Sequence, residues 1–387
     1  MGYKTPTCPI ASECGGCEWL SVPYPIQMRR KHEALAEVFA GLVDADKIAL
    51  SEAAHTEGFR HKAATPFAPG RGSLVLHGFY ARGSHKIVPC KSCLVEQPDL
   101  RPALEAVAEV AARMGISAYD EDRGRGLLRH AIARAGWKTD ELLLTIVCNG
   151  DTLPREREVV RAITGAAPRV SAIALNVNKR KTNAILGTRT RALRGDGIMH
   201  DSLLGCTFAI GPTSFYQTNP EQAEVLYTRA IDGLCLKEGQ VLVDAYCGTG
   251  TIGICAARRT DGLRVIGIES VSGAVADARN NARANGLEDQ CEFVCADATR
   301  YLGDLAQDGQ GIDALVMDPP RAGSTPEFLQ AVCQLAPARV SYVSCNPETQ
   351  RRDIDVLLEG GYHLESVELV DMFPHTKHME SVAVLAR

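Results

Sequence analysis

After about residue 212 the chain alternates short apolar segments with amphipathic ones, and this alternation limits its fold more than any other feature. VLVDAYC, RVIGIES, CEFVCAD, IDALVMDPP and RVSYVSCNP read as five strands, with a helix over 272–285 among the connections. Strands this apolar, separated by helices, predict an α/β fold with a parallel sheet covered on both faces.

The chain upstream has a different texture. Residues 26–43 have helical apolar spacing, 56–100 read as strands and turns rich in Gly and His, and 101–115 read as a helix. LLRHAIARA, ELLLTIVCN and RVSAIALNVN are further strands. A length of 387 residues predicts two or three domains. With no apolar run of about 18 residues, no transmembrane helix is expected. The N-terminal segment has no basic-then-apolar leader, which predicts a cytoplasmic protein without membrane contact. The fourteen cysteines of such a chain point to metal or catalysis rather than to disulfides.

The strand VLVDA runs into Gly248-Thr-Gly250-Thr251-Ile-Gly253 and a helix. Glycines at such a turn allow the backbone close to a ligand. Glu269 ends the next strand, where an acidic side chain accepts from a ribose, and Asp297 ends the third, where an adenine amino group is within reach. Three polar features at successive strand ends mark a nucleotide site. The glycine pattern formally matches the dinucleotide fingerprint and does not choose between a nicotinamide dinucleotide and another nucleotide cofactor.

Two motifs follow the fourth and fifth strands. Asp318-Pro-Pro-Arg321 forms a stiff loop, because proline fixes φ and removes amide donors. In Ser344-Cys345-Asn346-Pro347 a cysteine stands at the mouth of the sheet, either a nucleophile beside the cofactor or a small buried residue. Near the C-terminus, His375, His378 and Glu380 precede the apolar strand SVAVLA, as a surface loop or as the source of a general base.

Cys8, Cys14 and Cys17 are close in sequence, and Cys90 and Cys93 lie far downstream. Four thiolates suit zinc or an iron–sulfur cluster, and spacing alone would pair Cys14 and Cys17 with Cys90 and Cys93 as a zinc site. A radical-type cluster needs Cys-x3-Cys-x2-Cys, whereas the first gap here holds five residues. The other cysteines, among them Cys235 and Cys295, read as core residues. Net charge is −5, so nucleic-acid contact requires a local basic surface. Arg169, Lys179, Arg180, Lys181, Arg189, Arg191 and Arg194 form a stretch without an acidic residue, to which Arg123, Arg125, Arg129 and Arg134 are expected to add.

Taken together, SFYQTNP (214–220), DAYCGTGTIG (244–253), GIES (267–270), DPPRAG (318–323), VSCNP (343–347) and DMFPHTKHMESVAVL (371–385) resemble the RNA uracil-5-methyltransferases, especially the iron–sulfur 23S ribosomal RNA members. GFYARGSHKIVPCKSC (78–93), LLRHAIAR (127–134) and the Cys-x-x-Cys of 14–17 extend the likeness over nearly the whole chain.

The resemblance implies a class I (Rossmann-like) methyltransferase domain at 26–55 and 213–387. It also implies a smaller β-rich domain carrying the cysteine cluster, at 1–25 and 56–212. Cys345 is the implied nucleophile and Glu380 the implied base. Gln217, Tyr246, Gly248, Gly250, Thr251, Glu269 and Asp318 are the implied contacts for S-adenosylmethionine and uracil, with Asp297 carried from its strand-end position. Thr251 stands where the family often has Asn. The family pattern places a [4Fe–4S] cluster on Cys8, Cys14, Cys17 and Cys93, with Cys90 a bystander. The chemistry fits: carbon 5 of uracil becomes nucleophilic once a thiolate adds at carbon 6. Many members carry a β-barrel ahead of the cysteines, whereas here they begin at residue 8, which favours 23S ribosomal RNA over transfer RNA. The chain is expected to act as a monomer. The rivals are the same reaction on transfer RNA, a non-catalytic RNA-binding protein of this fold, and an amino-group methyltransferase. Arg321 disfavours the last, since such enzymes carry an aromatic residue there.

Overall fold

A computed structural model of the protein describes residues 5–387. They form two compact units. One comprises the described residues through Ser21, His55–Ser202 and Ala209–Thr213; the other comprises Val22–Ala54, Leu203–Phe208 and Ser214–Arg387.

The larger unit is built on an eight-stranded sheet. Its order is Ala49–Ser51, His363–Val370, Glu380–Ala386, Arg339–Ser344, Ala314–Met317, Val241–Ala245, Arg264–Glu269 and Cys291–Cys295. The last five are mutually parallel, and Glu380–Ala386 runs antiparallel to both neighbours. Val241–Ala245 pairs with Arg264–Glu269 on one side and Ala314–Met317 on the other. The chain order reverses at this strand, and open α/β sheets bind ligands beyond the carboxyl ends of strands at such a point. The five strands expected from sequence are all present. Two further strands, Ala49–Ser51 and His363–Val370, are not evident in the sequence: the first has three residues, and the second is exposed at His363 and at Glu365–Ser366, so it lacks a clean alternation.

The first long helix spans Tyr24–Val38 rather than running to residue 43. Gly41 lies in the left-handed region at φ 82°, which an α-helix does not accommodate. Met28, Leu35 and Phe39 pack into the same core as Leu315, Met317, Phe328 and Tyr342. The helix is also pinned by charge. Buried Lys31 donates to Asp371 at 2.6 Å and to the carbonyl of Phe373 at 3.1 Å, and the Tyr24 hydroxyl donates to the other Asp371 oxygen at 2.9 Å.

The other unit holds a seven-stranded sheet ordered Ile87–Pro89, Val75–Tyr80, Lys62–Pro69, Leu128–Ala135, Leu142–Cys148, Val170–Val177 and Arg189–Arg194. All pairings are antiparallel except Leu142–Cys148 with Val170–Val177, which are joined through the helix Glu156–Ala166. That helix and Leu100–Met114 bury Leu104, Val107, Val159 and Ile163 in the core with Leu144 and Ile173.

Candidate active site

The turn after Val241–Ala245 is sterically specified. Gly250 lies at φ 80°, and a Cβ there would meet the Phe293 ring at 2.7 Å. A Cβ on Gly253 would meet Val265 at 2.8 Å and the Asp244 carboxylate at 2.9 Å. The Gly253 N–H donates to that carboxylate at 2.8 Å, and burial, the largest effect, pushes the Asp244 pKa up to about 7. Tyr246 adopts φ 63°, a strained value for a residue with a side chain, and its ring lies 5.3 Å from Phe328. Its hydroxyl is 3.2 Å from Ser324 Oγ.

Glu269 accepts from the N–H groups of Gly248 at 3.2 Å and Val271 at 2.8 Å, which fixes the carboxylate at the strand end with lone pairs to spare. Asp297 is the N-cap of the helix Ala298–Gln307, and its Oδ1 accepts from Arg300 N–H at 3.0 Å. The sequence reading did not include this capping role, and one Asp297 oxygen is committed to it.

Gln217, Thr251 and Asp318 are brought together by Tyr227. The side chains of Thr251 and Gln217 lie close enough to the Tyr227 hydroxyl to offset part of the rise that burial imposes on its pKa, and Asp318 lies within its electrostatic reach. Sequence reasoning missed Tyr227, because in the helix Pro220–Gly233 it falls on the buried stripe with Ala223, Leu226 and Ala230 and reads as core. Loss of solvation pushes the Asp318 carboxyl up to about 7.

Cys345 and Glu380 meet through sheet register. The antiparallel strands Arg339–Ser344 and Glu380–Ala386 pair Ser344 with Ser381, so the next positions along the register are Cys345 and Glu380. Ser381 Oγ donates to Gln350 at 2.6 Å, and Gln350 in turn donates to the Tyr342 carbonyl at 2.8 Å, which holds the strand end to the following helix. Cys345 is half-buried just before the Asn346 N-cap of the helix Pro347–Glu359. Burial, then the Glu380 and Asp318 carboxylates, raise its thiol pKa, and Arg321 opposes them. Glu380 is 5% exposed. Burial and then Asp318 push its carboxyl well above the ordinary range, again opposed by Arg321. The Arg321 loop is tied to the Cys345 loop, since Asn346 and Thr349 donate to the Arg321 carbonyl at 3.1 and 3.2 Å. His375 is buried and bonded to Gln27, its N–H donating to Gln27 Oε1 at 2.8 Å, so it secures the loop to the first long helix.

In the other unit, Cys8, Cys14, Cys17, Cys90 and Cys93 line one small cavity with Ile10, Leu20 and Phe79. Among the described residues, no three His, Cys, Asp or Glu side chains stand in a metal-ligating arrangement. Burial pushes the Cys17 thiol up to about 11, with Cys93, Cys14 and Cys8 adding to the shift. Thiols placed this close disfavour one another's charge, and a soft cation would offset that. Cys90 instead donates to the Ser92 carbonyl at 3.1 Å. Of the remaining cysteines, Cys235 and Cys295 are exposed rather than core residues.

The basic stretch is partly neutralised. Arg169 pairs with Asp99, Lys179 and Arg189 with Asp151, and Arg191 with Glu156. Arg129 and Arg134, expected at the surface, are 2% and 4% exposed. Arg129 pairs with Glu121 at 3.0 Å and donates to the Asn178 and Arg180 carbonyls, so it holds the fold rather than a phosphate. Among the described residues, no helix is long and apolar enough to cross a membrane.

The sheet, its Gly-rich first turn and the acidic strand ends form a Rossmann-like nucleotide site, and likeness to known proteins makes it that of an S-adenosylmethionine-dependent methyltransferase. Residues 206–387 match the family model described as tRNA (Uracil-5-)-methyltransferase. An uncharacterized RNA methyltransferase of Halalkalibacterium halodurans is 38% identical over 384 residues, 98% of this chain and 82% of that protein. One from Gloeobacter violaceus is likewise 38% identical over 98% of this chain and 82% of its own length. The crystal structure of Pyrococcus abyssi tRNA (uracil-54, C5)-methyltransferase in complex with S-adenosyl-L-homocysteine has a TM-score of 0.80 at 28% identity. It covers 96% of this chain and 86% of that one. The chain belongs to the RNA uracil-5-methyltransferase family.

Proposed function

We propose that the protein methylates carbon 5 of a uridine in 23S ribosomal RNA through a covalent adduct on Cys345. The observation that carries the mechanism is the register placing Cys345 beside buried Glu380, with Asp318 within electrostatic reach of both. S-adenosylmethionine supplies a methyl group on a sulfonium. Gln217, Tyr246, Gly248, Gly250, Thr251, Glu269, Asp297 and Asp318 hold it and the uracil ring.

The Cys345 thiolate adds to carbon 6, forming the S–C6 bond and moving the C5–C6 π electrons onto carbon 5 and the O4 enolate. Carbon 5 takes the methyl group as the methyl–sulfur bond breaks. Glu380 then removes the proton from carbon 5, the C5–C6 double bond re-forms, and Cys345 leaves as thiolate. A buried carboxylate with a raised pKa is a stronger base than an exposed one. Asp318 and Gln217, both near Tyr227, orient the ring. The uridine must leave its stack to reach Cys345.

We assign Cys8, Cys14, Cys17 and Cys93 as the ligands of a [4Fe–4S] cluster, supported by their shared cavity and soft donor chemistry. This cysteine set, which the resemblance associates with the ribosomal RNA members, supports the 23S reading. The structural likeness to a transfer RNA enzyme favours the alternative, the same reaction on transfer RNA. The test is denaturing mass spectrometry after incubation with S-adenosylmethionine and 5-fluorouridine-substituted RNA, since fluorine cannot leave as a proton. A methylated adduct on Cys345 with a 23S fragment, lost in Cys345→Ala, is expected. An adduct only with transfer RNA would transfer the substrate assignment, and none with either would overturn the mechanism.

A further inference from the structure

The β-rich unit contains a second cavity, of about 420 Å³, between its antiparallel strands and the loop 179–188. Its walls include Phe79, Tyr80, His85 and His130, with Glu121 and Asn183. Tyr80 lies 5.4 Å from the His85 ring and 6.4 Å, edge-on, from His130. His130 is 7% exposed, and its Nδ1 is buried without a hydrogen-bond partner. A buried ring nitrogen left unpaired is costly unless a ligand meets it. The Glu121 carboxylate is held by Arg129 at 3.0 Å. The loop is fixed, since Asn178 donates to the Ala184 and Ile185 carbonyls at 2.7 and 2.9 Å, and Asn176 accepts from Gly187 N–H at 2.7 Å. Arg180 and Lys181 stand exposed on that loop just before the cavity-lining residues.

We infer that this cavity takes one unpaired nucleobase bearing an exocyclic amino group, from the RNA strand that delivers the target uridine. The inference rests on RNA being the substrate. Aromatic walls stack any base. The carboxylate excludes a phosphate from the interior and accepts from an amino group, as acidic side chains do from cytosine. Uracil has no such group, so the guest is adenine, guanine or cytosine rather than a second uracil. Arg180 and Lys181 at the rim meet the phosphates on either side. His130 and Asn183 complete the hydrogen bonds along the base edge.

The test is fluorescence anisotropy of the full chain with labelled oligo-A, oligo-C and oligo-U of equal length. Oligo-A and oligo-C are expected to bind several-fold tighter than oligo-U. Tyr80→Ala should weaken oligo-A by about tenfold, the worth of one stacked base, and Tyr80→Phe should retain it. Asn183→Ala, on an exposed loop, removes a cavity contact without threatening the fold and should weaken oligo-A and oligo-C more than oligo-U. Equal binding of the three oligomers, or unchanged oligo-A binding in folded Tyr80→Ala and Asn183→Ala, overturns the inference. Methyl transfer to total RNA is measured in parallel. If it persists while the cavity variants bind normally, only the cavity is refuted; if the wild-type chain transfers no methyl group to any RNA, the catalytic reading fails instead.

Discussion

Ser344 and Ser381 face each other as the terminal pair of an antiparallel register, and one step beyond them stand Cys345 and Glu380. Two residues 35 positions apart in sequence, the proposed nucleophile and the proposed base, thus become neighbours through strand register.

In the proposed mechanism the two residues act at different stages, so their variants should differ in kind. Cys345→Ala should abolish both the adduct and methyl transfer. Glu380→Gln should slow turnover by about 10²–10⁴-fold, the usual worth of a positioned base, while a methylated protein–RNA adduct accumulates with ordinary uridine. Denaturing gel shift with labelled methyl groups distinguishes them; an unmodified Glu380→Gln protein under turnover conditions would remove Glu380 from proton abstraction.

The Cys345 thiol is held up by burial and two carboxylates, and Arg321 works against them. Its thiolate fraction therefore grows with pH, and kcat/KM should rise from neutral into the alkaline range. Arg321→Gln removes the opposing charge and should move that rise to higher pH. An unshifted profile would exclude Arg321 from setting the Cys345 thiol.

Asp318 illustrates a stability cost of the site. Its folded pKa of about 7 exceeds the ordinary value of 3.8, so between those values the folded state holds more protons than the unfolded one. Stability contributed by this group therefore falls as pH rises through that window. Asp318→Asn should raise the urea midpoint at about pH 8 and change it little near pH 4, while methyl transfer is lost.

Lys31 and Asp371 form an ion pair with both side chains fully buried. Lys31→Met leaves a buried carboxylate with, among the described residues, Tyr24 and the Phe373 N–H as its remaining partners. A loss of about 3–5 kcal/mol is expected for breaking such a pair, read by urea denaturation.

The cluster assignment is tested by iron and sulfide content after anaerobic reconstitution. Cys17→Ala or Cys93→Ala should lose the cluster, and Cys90→Ala should retain it, since Cys90 is turned to the Ser92 carbonyl. Stoichiometric zinc, lost with Cys90→Ala, would support the two Cys-x-x-Cys pairs instead.

The sequence by itself determined the parallel sheet, because strand–helix alternation is local and periodic, and the glycine turn, because a Gly-rich run between a strand and a helix is a local signal; that a Cβ there would strike Phe293 or Val265 was decided by the tertiary structure. It also placed candidate polar groups at the strand ends, since the strand boundaries that position Glu269 and Asp318 are local. Only the tertiary structure decided which distant groups meet. Tyr227, a core residue by pattern, stands beside Gln217 and Thr251. One Asp297 oxygen is committed to a helix cap, and four of the seven cations of the basic stretch are neutralised by Asp99, Asp151 and Glu156. Partners of that kind are chosen by register and packing between segments far apart in the chain, which no local period encodes.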